Sequence, residues 1–462
     1  MKRVITIIFF IFQFSILNCL AQEIFTLEKC KQMALQNNTK AQNSLLSIEA
    51  AEQTKKEAFT KYFPTVSAMS VGFYASKPMM TMEMDMSTMM LPMMEGLAPL
   101  MGWLMQQGAP LDPSVFSMEP KKIDMLEKGT IAAITATQPV YAGGQIITGN
   151  RLAQLGVEVA KLQKAMSDDE ITLTVEQYYW QIVALEEKMK TITEAETLLN
   201  SVHNNVKSAV DAGFANRNDL LKVELKQNEL ESGKLKLKNG LRLTKMVLAQ
   251  FIGASSDGFD IDKTLIERVN VSLVTPVDHQ TALYQRAAYQ LLEENIAAKE
   301  LLVRMETGKR LPTIAVGAGW NYMNFDKGGM MPMKNDFGMV FATVSIPISD
   351  WWGGSHAIKK QKTEVKIAHN DKRNAEEMLL IQMQQLRNEV EEAALLVQLA
   401  DKAIVSALEN VRLNSDYYEI GTGLLTNLLD AQNTLQQARD QRTEAVTVYC
   451  VSLAKYRQAT GW

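Results

Sequence analysis

The chain has little of what usually marks an enzyme or a nucleic-acid-binding protein. Its 462 residues include only four histidines and three cysteines. His203, His279, His356 and His369 have no metal-ligand spacing. Neither a nucleophile motif nor a phosphate-cradling glycine loop occurs, so no catalysis and no cofactor are expected. Forty-eight Lys and Arg against 52 Asp and Glu leave a formal net charge of −4, too balanced for nucleic acid as a partner. Glycine (25) and proline (12) are not enriched, which argues against long unstructured tracts. No run of about 20 apolar residues follows the N-terminus, so no transmembrane helix is expected in the mature chain.

What the chain does have begins with an export signal over residues 1–21. Lys2 and Arg3 supply the charged end, Val4 to Leu17 the apolar stretch, and Cys19-Leu20-Ala21 the small residues before a cut at Gln22. The alternative is acylation at Cys19, for which Asn18 is a poor preceding residue. Export permits disulfides, and Cys30 and Cys450 are then the only mature cysteines.

The rest of the pattern runs through the same order twice. A helix from Thr26 to Tyr62 ends before Pro64, a strand covers Thr65 to Ser76, and a long loop leads to a strand from Gly129 to Gln138. A proline-free helix follows from Gln145 to Ala212, broken at Gly213 to Asn216, and a second runs from Asn218 to Ile252. After an irregular linker, 253–276, come a helix over 277–310, strands over 312–323 and 336–346, a long helix over 356–420, a break at 421–423 and a last helix to Tyr456. A shift of 208 residues puts Pro139 on Pro347, Gly213 on Gly421, Asp219 on Asn427, Leu220 and Leu221 on Leu428 and Leu429, and Glu224 on Gln432. The expectation is an internal twofold repeat, 22–252 and 277–462. Each half is helix, β-hairpin (65–138 and 312–346), long helix, tight turn (213–217 and 421–423) and helix.

The first long helix, roughly 68 residues, would reach about 100 Å, more than a compact domain can hold. In the second, Met383, Val390, Val397, Ile404, Val411 and Tyr418 recur every seven residues, with Leu379, Leu386, Ala393, Ala400 and Ala407 offset by four. That is a coiled-coil seam. Val175, Ile182, Met189, Leu199 and Val206 belong to a similar seam in the first half. The strands carry a different signal. Ile314, Val316, Ala318, Trp320 and Tyr322 alternate with Thr313, Ala315, Gly317, Gly319 and Asn321. An apolar face ending in aromatics, backed by a small and polar one, fits a strand between lipid and a wet lumen. Four strands cannot close such a barrel, for which about eight is the minimum, and hydrocarbon does not tolerate open edges. Several chains would have to share one barrel. The alternative is a soluble coiled-coil adaptor or scaffold, whose sandwich strands would alternate in the same way.

Strand meets helix at two similar corners, one with Pro139, Gly143 and Gly144, the other with Pro347, Gly353 and Gly354. Proline lacks an amide donor and should end the ladder, and glycines let the backbone turn. Taken in order, TLEKCKQMALQNN, YFPTVSAMS, QPVYAGG, DAGFANRNDLLKVE, RLPTIAVGAGW, IPISDWWGG and YYEIGTGLLTNLLDAQNTL resemble the TolC-like outer-membrane efflux proteins over essentially the whole mature chain.

The resemblance implies a mainly α fold with membrane β: a homotrimer with a shared 12-stranded barrel in outer-membrane lipid and a periplasmic α-barrel of long helices. It implies an exit duct energised by an inner-membrane pump and joined by a periplasmic adaptor. At the periplasmic tip it makes Tyr418 and Asp219 a helix-tying pair and Asp430 one of two entrance carboxylates. The other carboxylate is replaced by Asn427, and a family arginine by Gly423. Adaptor contact is expected at the turns around Gly213 and Gly421, through Leu220, Leu221, Leu424 and Leu425. Cys30 and Cys450 both map to the middle of the α-barrel, where they could pair. Between the first two strands, on the extracellular side, lies a Met-rich stretch with Met79, Met82, Met84 and Met86. It reads as a packed loop or lid. Its thioethers would also suit Cu(I) or Ag(I), which would make the protein a soft-metal efflux duct.

Overall fold

The computed structural model describes residues 23–461, except 85, 109–120, 126, 256–258, 263–264, 274, 276 and 327–332. The export signal therefore lies outside the described residues. The elements run β1 (Glu23–Phe25), α1 (Leu27–Asn37), α2 (Thr39–Thr60), β2 (Thr65–Tyr74), β3 (Met80–Met84), α3 (Met86–Gln106), β4 (Lys121–Met125) and β5 (Lys128–Ala142). Then come α4 (Gln145–Asp211), α5 (Arg217–Ile252), β6 (Phe259–Ile261), α6 (His279–Gln285), α7 (Ala287–Gly308), β7 (Thr313–Asp326), β8 (Met333–Ser345), α8 (Asp350–Glu419) and α9 (Leu425–Thr460). They form two compact units that each draw on both halves of the sequence. Residues up to 55, 152–300 and from 362 make a helical unit; residues 56–151 and 301–361 make a strand unit.

In the helical unit the heptad positions are the core. Val175, Tyr179 and Ile182 of α4, Leu248 and Ile252 of α5, Val390 and Val397 of α8, and Val446 and Tyr456 of α9 are buried in one cluster. Lower on the same helices, Ala407 packs with Leu435 and Ala438. The helix ends keep a common register. Asp211 and Glu419, Arg217 and Leu425, and Ile252 and Thr460 are each 208 residues apart. Gly253 and Gly461, with φ of 70° and 68°, end α5 and α9 in the left-handed conformation that glycine adopts without strain.

Three expectations need correction here. The opening helix is two helices, broken at Asn38. The side-chain amides of Asn37 and Asn38 donate to the carbonyls of Ile252 and Phe251, each at 3.0 Å, and so satisfy the C-terminal turn of α5. The helix expected over 277–310 likewise breaks at Arg286, whose backbone is extended. The linker is not irregular throughout. β6 pairs in parallel with β1, Phe259 stacks on Phe25 at 4.9 Å, and Tyr179 donates its hydroxyl to the Phe25 carbonyl at 3.0 Å.

Cys30 and Cys450 lie in the main cluster as free thiols, so the expected disulfide is not formed. Each packs as a small apolar group. Burial pushes the Cys30 thiol up to about 11 and that of Cys450 up to about 12.

The strand unit is an antiparallel sheet in the order β2-β5-β7-β8, with β2 and β8 at the edges. Its strands of 10, 15, 14 and 13 residues mostly exceed the expected length. Pro139 does not end the ladder. It sits inside β5 at a bulge between Pro139 and Tyr141, where the pairing is already irregular and the missing amide does least harm. The turn itself is made by Gly143 and Gly144, with φ of 61° and 77°. A Cβ on Gly143 would collide with the Gly308 carbonyl, whereas one on Gly144 would meet open space. The second corner is built differently. Pro347 follows the end of β8, but Gly353 and Gly354 lie inside α8, which starts at Asp350 rather than His356. Gly354 is needed because the Arg310 side chain occupies the place of its Cβ. The loop after β2 is not plain loop either: β3 pairs with β4, and α3 lies between them.

Candidate functional site: the exposed sheet face and the paired helical turns

Antiparallel pairing fixes which side chains share a face. Ala68, Ile134, Trp320 and Gly338 are partners across the sheet, as are Val66, Ala136, Ala318 and Val340. This face is exposed and apolar: Val66, Ile134, Ile314, Val316, Val340 and Val344 all stand free on it. Toward the strand ends the same face carries Tyr74, Trp320 and Tyr322. Level with them, Lys128 lies between Tyr74 and Asp326, and Asp336 lies opposite Tyr322. At the other end Tyr62, Phe63, Tyr141 and Trp352 are exposed. The bulge at Val140 shifts the alternation by one residue, which puts Tyr141 opposite Ile314. An apolar band with aromatics at both margins, joined by charged residues at one of them, is the profile of a surface in lipid. The opposite face is small and polar in the middle of the β5–β7 pair, where Thr135 pairs with Gly319, Ala133 with Asn321, and Thr137 with Gly317; beyond them Ile131 pairs with Met323. Phe341 lays its ring where a Cβ on Gly317 would be.

In the helical unit, two turns join α4 to α5 and α8 to α9. Gly213 and Gly421, with φ of 76° and 78°, each end a long helix in the left-handed conformation. Asn216 caps α5 by accepting from the amide of Asn218 at 3.1 Å, while Leu424 begins α9 without a side-chain cap. Gly423 donates its amide to the Tyr417 carbonyl at 2.8 Å, and a Cβ there would meet that of Tyr417 at 2.9 Å. Any larger residue at 423 would have to shift the turn.

Adjacent leucines face opposite ways. Leu424 is 68% exposed and Leu425 only 4%. Leu425 packs with Leu428, Val206 and Val223, and Leu220 packs against the same cluster. Leu425 and Leu220 are therefore core residues, and of the four leucines only Leu221 and Leu424 are open surface. Two large apolar side chains that the pattern did not single out stand beside them: Phe214, 89% exposed, and Ile420, 70%. Each sits at a helix-ending glycine, where seam arithmetic no longer applies; its place in the turn was the only available signal.

Tyr418 is half-buried against that cluster. Its desolvation, and then the nearby charge of Asp219, raise the phenol above its usual range. Asp219 accepts from Lys222 at 3.1 Å, so its charge is compensated within its own helix. Asn427 and Asp430 are exposed. Among the described residues no group of three His, Cys, Asp or Glu could hold a metal. Of the methionines considered as soft ligands, Met79 is exposed ahead of β3, Met82 and Met84 lie on β3, and Met86 opens α3. Met330 and Met331, in the loop between β7 and β8, lie outside the described residues.

Comparison with known proteins agrees with this geometry. Residues 280–461 match the family described as outer membrane efflux protein. The outer membrane protein TolC of Vibrio cholerae is 19% identical over 352 residues, covering 74% of this chain and 78% of that protein. Among solved structures, CusC superposes with a TM-score of 0.73 at 12% identity, covering 94% of this chain and 91% of that one. The open state of the MtrE outer membrane channel of Neisseria gonorrhoeae gives 0.71 at 15%, covering 94% and 88%. VceC of Vibrio cholerae gives 0.69 at 11%, covering 94% and 96%. With the family's sequence over residues 280–461 and the shared fold along nearly its whole length, the chain is similar to the TolC-like outer-membrane efflux proteins.

Proposed function

We propose that the protein is the passive exit duct of a tripartite efflux or type I secretion system, formed by three copies that close one 12-stranded barrel. The observation that carries this is the four-stranded sheet with an apolar face and two open edges. In hydrocarbon each unpaired backbone group costs several kcal/mol, so the edges of β2 and β8 require partners. The strands alternate in direction, so β8 of one copy can pair antiparallel with β2 of the next. The common register of the helix ends supports a duplicated unit, which would let three chains place six similar helical pairs around an α-barrel.

In this reading the two helical turns face the periplasm and meet the adaptor through Phe214, Leu221, Ile420 and Leu424. Tyr418, with Asp219 close by, holds neighbouring helices together at the gate. Asp430 supplies the entrance charge, with Asn427 and Gly423 leaving it weaker than a fully charged ring. The inner-membrane pump provides the energy and selects the substrate. The test is insertion and conductance. The wild-type protein should form channels in a planar bilayer, and Val340→Asp with Val344→Asp on the lipid face should abolish insertion. A double variant that inserts and conducts normally would show that this face does not meet lipid.

A further inference from the structure

We propose that α3 is an interfacial helix that lies flat in the lipid surface of the outer membrane, beside the outer ends of the strands. The inference rests on the barrel reading above and extends it to a segment that reading leaves unused. Glu95 is the only charged residue in Met86–Gln106, so water solvates this helix poorly. Leu91, Met93, Leu97, Leu100, Trp103 and Met105 are nonetheless exposed. An exposed apolar surface of this kind marks a binding face.

Its place in the chain indicates what covers it. α3 is carried by the β3–β4 ribbon, which continues from β2 and β5 at their Tyr74–Lys128 end. That is the end of the apolar face where Tyr74, Trp320 and Tyr322 form the aromatic margin, so the surface that α3 extends is one already in contact with lipid. No described helix is long and apolar enough to cross a membrane, and α3 also contains Pro92 and Pro99, so it does not span. At about 100° per residue its side chains divide into two halves. Met90, Met93, Met94, Leu97, Leu100 and Met101 fall on one half, and Pro92, Glu95, Gly96, Pro99 and Gly102 on the other, together with Leu91 and Trp103. Such a helix suits a one-sided boundary, with most of its large side chains in the acyl layer, its one carboxylate toward water, and Trp103 at the headgroup level where tryptophan is enriched.

The test is spin labelling of the full-length protein in proteoliposomes, one cysteine at a time: Leu97→Cys, Leu100→Cys, Glu95→Cys, and Ile134→Cys on the sheet. The native Cys30 and Cys450 are buried. Labels at 97, 100 and 134 should collide more often with oxygen than with a water-soluble nickel chelate, and the label at 95 should show the reverse. If 97 and 100 favour nickel while 134 favours oxygen, α3 stands in water and the inference fails alone. Spin–spin broadening at 97 and 100, with both collision rates low, would mean that copies of α3 pack on one another over the pore, and would overturn it equally. If 134 also favours nickel, the barrel reading fails with it.

Discussion

Leu424 and Leu425 are chemically identical neighbours that should respond oppositely to mutation. Truncating a buried leucine costs about 2–5 kcal/mol, because the lost contacts leave a cavity that relaxes only in part. Leu425 is 4% exposed among Leu428, Val206 and Val223, so Leu425→Ala should weaken the turn by that amount. At a factor of ten for every 1.4 kcal/mol, local opening should rise by about 30-fold to several thousand-fold. Leu424, 68% exposed, should change local stability by no more than about 0.5 kcal/mol when truncated. Amide hydrogen exchange read across residues 199–230 and 425–435 measures this opening. Leu424→Asp should leave exchange almost unchanged yet prevent efflux, because it places a charge on the surface assigned to the adaptor. Leu425→Ala should raise exchange first. Equal exchange in the two variants, or loss of fold in Leu424→Asp, would refute the assignment of one to the core and the other to the surface.

The corner glycines should separate in the same way. Gly143→Ala should abolish folded protein in the outer membrane, because its Cβ meets the Gly308 carbonyl, whereas Gly144→Ala carries only the left-handed penalty of about 1–2 kcal/mol and should be recovered. Cys30 and Cys450 should resist a thiol-alkylating reagent at neutral pH and react after unfolding without reductant; no reaction in denaturant would mean a disulfide. Because both thiols are raised in the folded state, their contribution to stability is complete below the ordinary thiol range. It should be lost as pH climbs from about 9 through about 11 and 12, and a pH series of unfolding should show that decline. In a planar bilayer Tyr418→Phe should raise conductance, while Asp430→Asn should lower cation selectivity without widening the channel. The reverse pattern would exchange their roles.

Much of the architecture was legible because long-range order here is written in simple periods. A seven-residue seam marks α8 from Met383 to Tyr418, and alternation marks β7 from Ile314 to Tyr322. Both depend only on which face is buried. The breaks at Asn38 and Arg286 left no such trace. Asn38 interrupts a helix because its side chain serves the end of α5, more than 200 residues away, and no local rule reports that. Glycine misled in one direction. Gly143-Gly144 and Gly353-Gly354 look alike, but only the first pair turns the chain; Gly354 is small because Arg310 passes through its space. At the turns, the residue types mark the motif but not the facing; only packing against Val206 and Val223 distinguishes Leu425 from Leu424. α3 was hidden for a different reason: two prolines and a run of methionines resemble loop filler, while methionine and leucine are also good helix formers.

The central claim is that the open edges of β2 and β8 are closed by other copies of the chain. Native mass spectrometry of the folded protein, extracted from membranes in mild detergent, tests it directly. The account predicts a single species of three chains that persists on dilution. A folded species of one chain, with the exposed face of the sheet still protected by detergent, would contradict it.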